Sequence, residues 1–229
     1  MKVPLLILGA GQVGEALLRL RPDARGTSRR ARENLIRFDL ADEKSWAALP
    51  QADAVIWTFP PTPEAAALDL GRRILTSGSR LIVLASTSCH VAPAGGRLNE
   101  DSPLDLSQER VRAEEALRQA GAIIVALAGL HGPQRRPADW LRRGLIRNGA
   151  KLVNLIHVED AALATLAVLA QAQPGQRFVA SDGQGRPWSE IAAELGLEIA
   201  LGETEGRRVD PEHLKALLPA GFVFRGIDR

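Results

Sequence analysis

The 229-residue sequence has no tyrosine, one cysteine (Cys89) and one methionine, and aromatic residues make up only 4 % of it. Without tyrosine, no chemistry that needs a phenol is available. A lone cysteine excludes an intrachain disulfide and points to a reducing, cytoplasmic setting. Lysine is confined to Lys2, Lys44, Lys151 and Lys215, so arginine carries nearly all the positive charge. No apolar run approaches the roughly 18 residues of a membrane span. The stretch "VPLLILGAG" near the start is short and lacks a cleavage site, so it is expected to be a strand and not a leader. A soluble protein with no membrane partner is expected. Basic and acidic residues nearly balance, 29 against 27. The surface is therefore mixed in charge, and nucleic acid is not an expected partner. No spacing of His, Cys or carboxylates suggests a metal site, and no metal is expected.

What is present is a large apolar fraction, 45 %, enough to bury a full core. Short apolar runs alternate with helical patterns. Val3 to Ala10 reads as a buried strand and "QVGEALLRL" as a helix. "ARGTSR" and "NLIRFDL" read as strands, "EKSWAALP" as a helix. The series continues with strand "ADAVIWTF", helix "PEAAALDLGRRILTSG" and strand "SRLIVLAST". A long loop holding "PAGG" follows, then helix "QERVRAEEALRQAG" and a single strand "AIIVALAGL". Continuous apolar strands separated by single helices imply right-handed crossovers, hence an α/β fold with a doubly wound parallel sheet of Rossmann type. After residue 131 the alternation breaks down, although "VEDAALATLAVLAQA" reads as a helix and "QRFVAS" as a strand. Residues 1–131 and 156–181 are expected to form the main domain, and 132–155 with 182–229 a small substrate lobe. Asp210 is expected to cap a helix that starts at Pro211.

In such sheets ligands bind beyond the carboxyl ends of the strands. There stands "GAGQVG", with Gly9, Gly11 and Gly14 between a strand and a helix. The first glycine suits the tight turn, the second lets backbone approach a pyrophosphate, and the third lets helix and strand pack closely. Gln12 and Val13 open the helix, whose free N–H groups face phosphates. About 20 residues later an acid would bind a ribose 2′-hydroxyl, but Thr27, Ser28, Arg29 and Arg30 stand there, which favours NADP, with NAD as the alternative. Arg29 and Arg30 are otherwise plain surface charges. Asp39 and Leu40 follow the next strand, where Asp39 either accepts from an adenine amino group or caps a turn. Thr58, Phe59 and Pro60 would form a floor under the adenosine.

Together these stretches, with "FDLAD", "VIWTFPPTP", "LIVLASTSCH", "NEDSP", "RVRAEEAL", "LAGLHGP" and "NLIHVEDAALA", resemble the short-chain dehydrogenase/reductase superfamily, in its extended or atypical NAD(P)-dependent epimerase/dehydratase branch. The resemblance spans nearly the whole chain. It implies a small-molecule substrate, such as a nucleotide-linked sugar or another carbonyl compound, and specifies no oligomer. The family's Tyr-x-x-x-Lys pair falls on Leu106 and Arg110. Leu106 cannot transfer a proton, and Arg110 can hold a ribose hydroxyl but stays charged. Ser86 matches the substrate-orienting hydroxyl, with Thr87 and Ser88 beside it; capping of the strand end is their other reading. Two tyrosines common in the family are replaced by His90 and His131, which can act as acid/base groups near neutral pH if they face the nicotinamide. Cys89 is expected to be a small buried thiol, and His157 and Asp160 to form a turn and a helix start. Arg135, Arg136, Arg142 and Arg143 either face an anionic substrate or lie on a solvated helix face.

Two functions remain open on these residues. One is an NADP-dependent epimerase/dehydratase-like oxidoreductase in which Ser86 orients the substrate and His90, His131 or water handles the proton. The other is a non-catalytic NADP-binding sensor or regulatory protein.

Overall fold

A computed structural model describes residues 3–91 and 95–227; Lys2 and the Pro93–Ala94 part of the long loop lie outside them. In chain order the strands are β1 (Val3–Leu8), β2 (Arg25–Ser28), β3 (Leu35–Arg37), β4 (Ala52–Trp57), β5 (Arg80–Ser86), β6 (Arg97–Leu98) and β7 (Ile123–Leu127). They continue with β8 (Gly129–His131), β9 (Leu152–Val153), β10 (Leu155–His157), β11 (Arg177–Ala180), β12 (Arg186–Pro187) and β13 (Arg208–Val209). The helices are α1 (Gln12–Leu20), α2 (Glu43–Trp46), α3 (Glu64–Thr76), α4 (Glu109–Gln119), α5 (Pro137–Arg142), α6 (Val158–Gln171), α7 (Trp188–Glu194) and α8 (Glu212–Lys215).

Seven strands form one sheet in the order β11-β7-β5-β4-β1-β2-β3, and every neighbouring pair runs parallel. The order reverses between β1 and β4, which opens the crevice where such sheets bind ligands. Successive side chains of a strand point to opposite faces, and both faces are apolar here. Leu5 and Ile7 of β1, with Ile56 and Ile82, pack on α1 and α6. Leu6 and Leu8, with Val55, Trp57 and Val83, pack on α3 and α4. Burial on both faces explains why these strands read as unbroken apolar runs.

The run "AIIVALAGL" is not one strand. It splits at Ala128: β7 stays in the main sheet, while β8 leaves it to pair with β10. Gly129 permits this departure, because a Cβ there would lie 2.9 Å from the Leu155 side chain. A separate small core gathers Leu155, Trp188 and Ile191 with Trp140, Val153 and Ile199. Leu214 of α8 is fully buried in the main core instead, with Leu217, Leu218 and Phe224 packed against it. Asp210 does not cap α8, whose N-cap is Pro211 without a side-chain bond. Its carboxylate accepts from Arg97 Nη2 at 2.7 Å, tying β13 to β6.

Candidate functional site

The loop after β1 is built from contacts that only glycine permits. Gly9 has φ +96°, a left-handed value costly for other residues, and its N–H donates to Thr27 Oγ1 at 2.9 Å. A Cβ on Gly14 would sit 2.0 Å from the Gly9 carbonyl oxygen, so α1 can approach β1 only with glycine there. Gly11 differs: a Cβ there would meet nothing within 4 Å. It is the N-cap of α1 and offers no side-chain cap, so the N–H groups of the first turn, including Gln12 and Val13, face outward with their positive dipole end. The Val13 side chain itself is buried in the core.

Thr58, at the end of β4, holds this loop in place. Its hydroxyl lies 2.7 Å from the Gly9 carbonyl and 3.0 Å from that of Leu8. The loop opens on a cleft of about 750 Å³ lined by Gly9, Gly11, Ser28, Arg29, Arg30, Asp39, Leu40, Thr58, Phe59 and Pro60, among others. Most of the cofactor-binding positions expected from sequence thus meet at one cleft or at its helix N-terminus, where Gln12 borders a neighbouring pocket instead. Phe59 lines the cleft, its ring 5.3 Å from that of Trp57 and 6.2 Å from that of Phe38. Arg29 and Arg30 are exposed on the cleft wall, with no ion-pair partner among the described residues. Asp39 serves a turn: its Oδ1 accepts from Ala41 N at 3.1 Å, while its backbone carbonyl is held by Ser45 and Trp46. Sequence reasoning passed over Arg32, which reaches across the loop to the Ala10 carbonyl at 3.2 Å and to Glu15 at 2.9 Å.

Beyond β5 lies a second cleft of about 650 Å³, lined by Ser86, Thr87 and Ser88 and by Lys151, Asn154 and Arg207. Ser86 Oγ accepts from Ser88 N at 3.3 Å and from Ser88 Oγ at 3.0 Å, which leaves its own hydrogen to donate. Ser88 Oγ in turn accepts from Arg110 Nη2 at 2.9 Å. Arg110, on α4, therefore holds the serine pair. Leu106 is 52 % exposed and supplies no proton. The charged groups at this cleft are Lys151, Arg207 and Glu205, and Lys151 pairs with Glu205 at 3.8 Å; Arg142 pairs with Asp139 on α5 at 3.6 Å, and Arg135 stacks over Trp140.

Neither histidine lines the Ser86 cleft. His90 is 2 % exposed, its Nδ1 donates to the Ser102 carbonyl at 2.9 Å, and burial pushes its pKa down. The bond ties the serine turn to the loop at Ser102. His131 is also buried and packs edge-on against His157 at 5.2 Å. It lines a third pocket, of about 380 Å³, with Gln12, Glu15, Pro133 and Val158. His157 caps α6, its Nδ1 accepting from Glu159 N, and buried Asp160 is bonded by Arg225. Cys89 is fully buried, and burial raises its thiol to about 11, far from a nucleophile's range.

No family model matches the sequence, and neither does any curated protein. Solved structures do match in fold. The Bordetella bronchiseptica enzyme WbmG, in complex with NAD and UDP, aligns with TM-score 0.74 at 16 % identity, covering 99 % of this chain and 91 % of its own. Human epimerase family protein SDR39U1 (isoform 2) with NADPH aligns at 0.69 and 16 %, covering 98 % and 95 %. The UDP-glucose 4-epimerase of Thermus thermophilus, in complex with NAD, aligns at 0.68 and 16 %, covering 94 % and 92 %. At these identities the likeness is one of architecture: over almost its whole length the chain shares the Rossmann-type α/β fold of these proteins.

Proposed function

We propose that the chain binds NADP in the 750 Å³ cleft and acts as an epimerase/dehydratase-like oxidoreductase on a small carbonyl substrate, such as a nucleotide-linked sugar, held at the Ser86 cleft. The observation that carries the reading is the juxtaposition of an uncapped, glycine-built helix N-terminus with Arg29 and Arg30 on one cleft wall. The residues fit the cofactor. The N–H groups of α1 suit a pyrophosphate, and the open space at Gly11 admits one. Two guanidinium groups without an ion-pair partner among the described residues suit a 2′-phosphate. The nicotinamide, when bound, supplies or accepts hydride. Ser86 donates to the substrate oxygen, and Arg110 keeps the Ser86–Ser88 pair in place. With Leu106 inert and His90 buried, the proton is left to solvent or to the substrate's own hydroxyls.

The test is calorimetric titration with NADPH and NADH. The wild type is expected to favour NADPH by at least about tenfold, the effect of charged hydrogen bonds to a phosphate. An Arg29→Ala, Arg30→Ala double variant is expected to bind the two equally. Equal affinities in the wild type, or an unchanged preference in the variant, overturn the 2′-phosphate assignment. The second reading, a non-catalytic NADP-binding protein, is favoured by Leu106 at the proton-donor position. Tight NADPH binding without oxidation of NADPH by any of a panel of ketones and nucleotide-linked keto sugars decides for it.

A further inference from the structure

Among the described residues, Glu114 on α4 is a buried acid in an unusual setting. It is 1 % exposed, and neither carboxyl oxygen has a hydrogen-bond partner among the described residues. A buried carboxyl without donors is costly when ionised, and most such groups in folded proteins are satisfied. Its neighbour Glu115 is the contrast, accepting from Arg118 at 2.7 Å and from Arg177 at 2.8 Å. The charged and titratable groups facing Glu114 are Arg110 from its own helix, Arg177 from β11 and Cys89 from the turn after β5. Arg177 is already engaged by Glu115. Cys89 stays a neutral thiol. That leaves Arg110 as the group that responds to the charge on Glu114.

Arg110 is one helical turn before Glu114, with Nη1 3.7 Å from Glu114 Oε1. The same guanidinium donates through Nη2 to Ser88, which donates to Ser86. A continuous chain thus runs from the buried carboxyl to the hydroxyl at the cleft.

We propose that Glu114 is a positioning residue: its carboxyl exchanges a proton with solvent, drawing Arg110 inward when ionised and releasing it toward a bound anionic ligand when neutral. Two effects act in the same direction. An ionised Glu114 competes with the ligand for Arg110, and its own charge repels an anion. Binding of a ligand that engages Arg110 therefore takes up a proton from the buffer, and reciprocally a proton on Glu114 strengthens binding. Burial raises this carboxyl from 4.5 to about 7, so the exchange falls in the neutral range. The proposal rests on the dinucleotide reading, in which NADPH is the anionic ligand that engages Arg110.

The experiment has two arms. In the unliganded protein, infrared titration of carboxyl groups is expected to show a band that titrates near neutral pH and disappears in Glu114→Gln. Arg110→Ala is expected to move that titration to higher pH, because an attractive charge is lost. A titration indifferent to Arg110→Ala overturns the proposal. In the second arm, NADPH binding is measured by calorimetry in buffers of different ionisation enthalpy. Wild type is expected to take up a fraction of a proton per NADPH near neutral pH, with affinity rising up to about tenfold per unit fall in pH, the limit for a single proton. Glu114→Gln is expected to abolish both. Glu114→Met serves the same purpose if the amide variant fails to fold. Proton uptake unchanged in these variants overturns the proposal while leaving the dinucleotide reading intact. Absence of NADPH binding to wild type at every pH overturns that reading instead, and with it the ligand half of the proposal.

Discussion

At the scale of the residue, sequence was most informative where chemistry and backbone coincide. Gly14 could be assigned a packing role from spacing alone because no other side chain fits between a helix and the turn before it. The 2.0 Å separation between a hypothetical Cβ and the Gly9 carbonyl gives that role a magnitude. Gly14→Ala must push α1 away from β1, and overpacking of this kind costs roughly 1 to 3 kcal/mol. Thermal melting should show the loss, and NADPH titration should show binding weakened at least tenfold. A variant that melts and binds like wild type would remove the close-approach account of the loop. Other residues were not legible. Glu114 and Glu115 are adjacent acids in an Arg-rich helical stretch, and nothing in "RVRAEEAL" distinguishes the one that is buried from the one gripped by Arg118 and Arg177. His90 likewise reads as a candidate acid/base, because its burial depends on the return of Ser102 in a separate loop.

At the scale of the element, the alternating apolar runs specified the parallel sheet and therefore the end at which a ligand binds. They did not specify where a run changes partner. "AIIVALAGL" has the composition of one strand, and only the approach of Leu155 at Gly129 shows that it divides. The second cleft was hidden for a related reason. Ser86 belongs to β5, while Lys151, Asn154 and Arg207 come from segments whose pairing is not written in a period. Thr58 is the clearest case of an element end acting on the site. The sequence places it toward an adenosine, and what its hydroxyl is seen to do is fasten the β4 terminus to the loop after β1. Thr58→Val keeps the shape and removes the hydroxyl, leaving the Gly9 carbonyl without its side-chain donor. Stability should fall by about 1 kcal/mol in urea unfolding, and NADPH affinity should fall with it as the loop loosens. Thr58→Ser should restore both, and failure of that rescue would deny the hydroxyl its role.

At the scale of the whole molecule, two adjacent carboxyls on α4 pull the pH dependence of stability in opposite directions. Glu115 is held down to about 2, first by its hydrogen bonds from Arg118. Its contribution is therefore present above the unfolded value of 4.5 and is lost as pH falls through about 2. Glu114 is pushed up from 4.5 to about 7 by burial. Its folded form holds a proton that the unfolded chain has already released, so its contribution is full below about pH 4.5 and is lost as pH rises through about 7. A displacement of this size corresponds to on the order of 3 kcal/mol, a large part of the stability of an ordinary domain. Urea unfolding across the range from about pH 4.5 to about pH 8 should show wild type losing stability steadily toward neutrality. Glu114→Gln should lack that slope and become the more stable protein at the upper end, since its amide carries no charge to bury. Parallel pH profiles for the two proteins would mean that Glu114 ionises at the same pH folded and unfolded, and the buried carboxyl would then have to be reached by water.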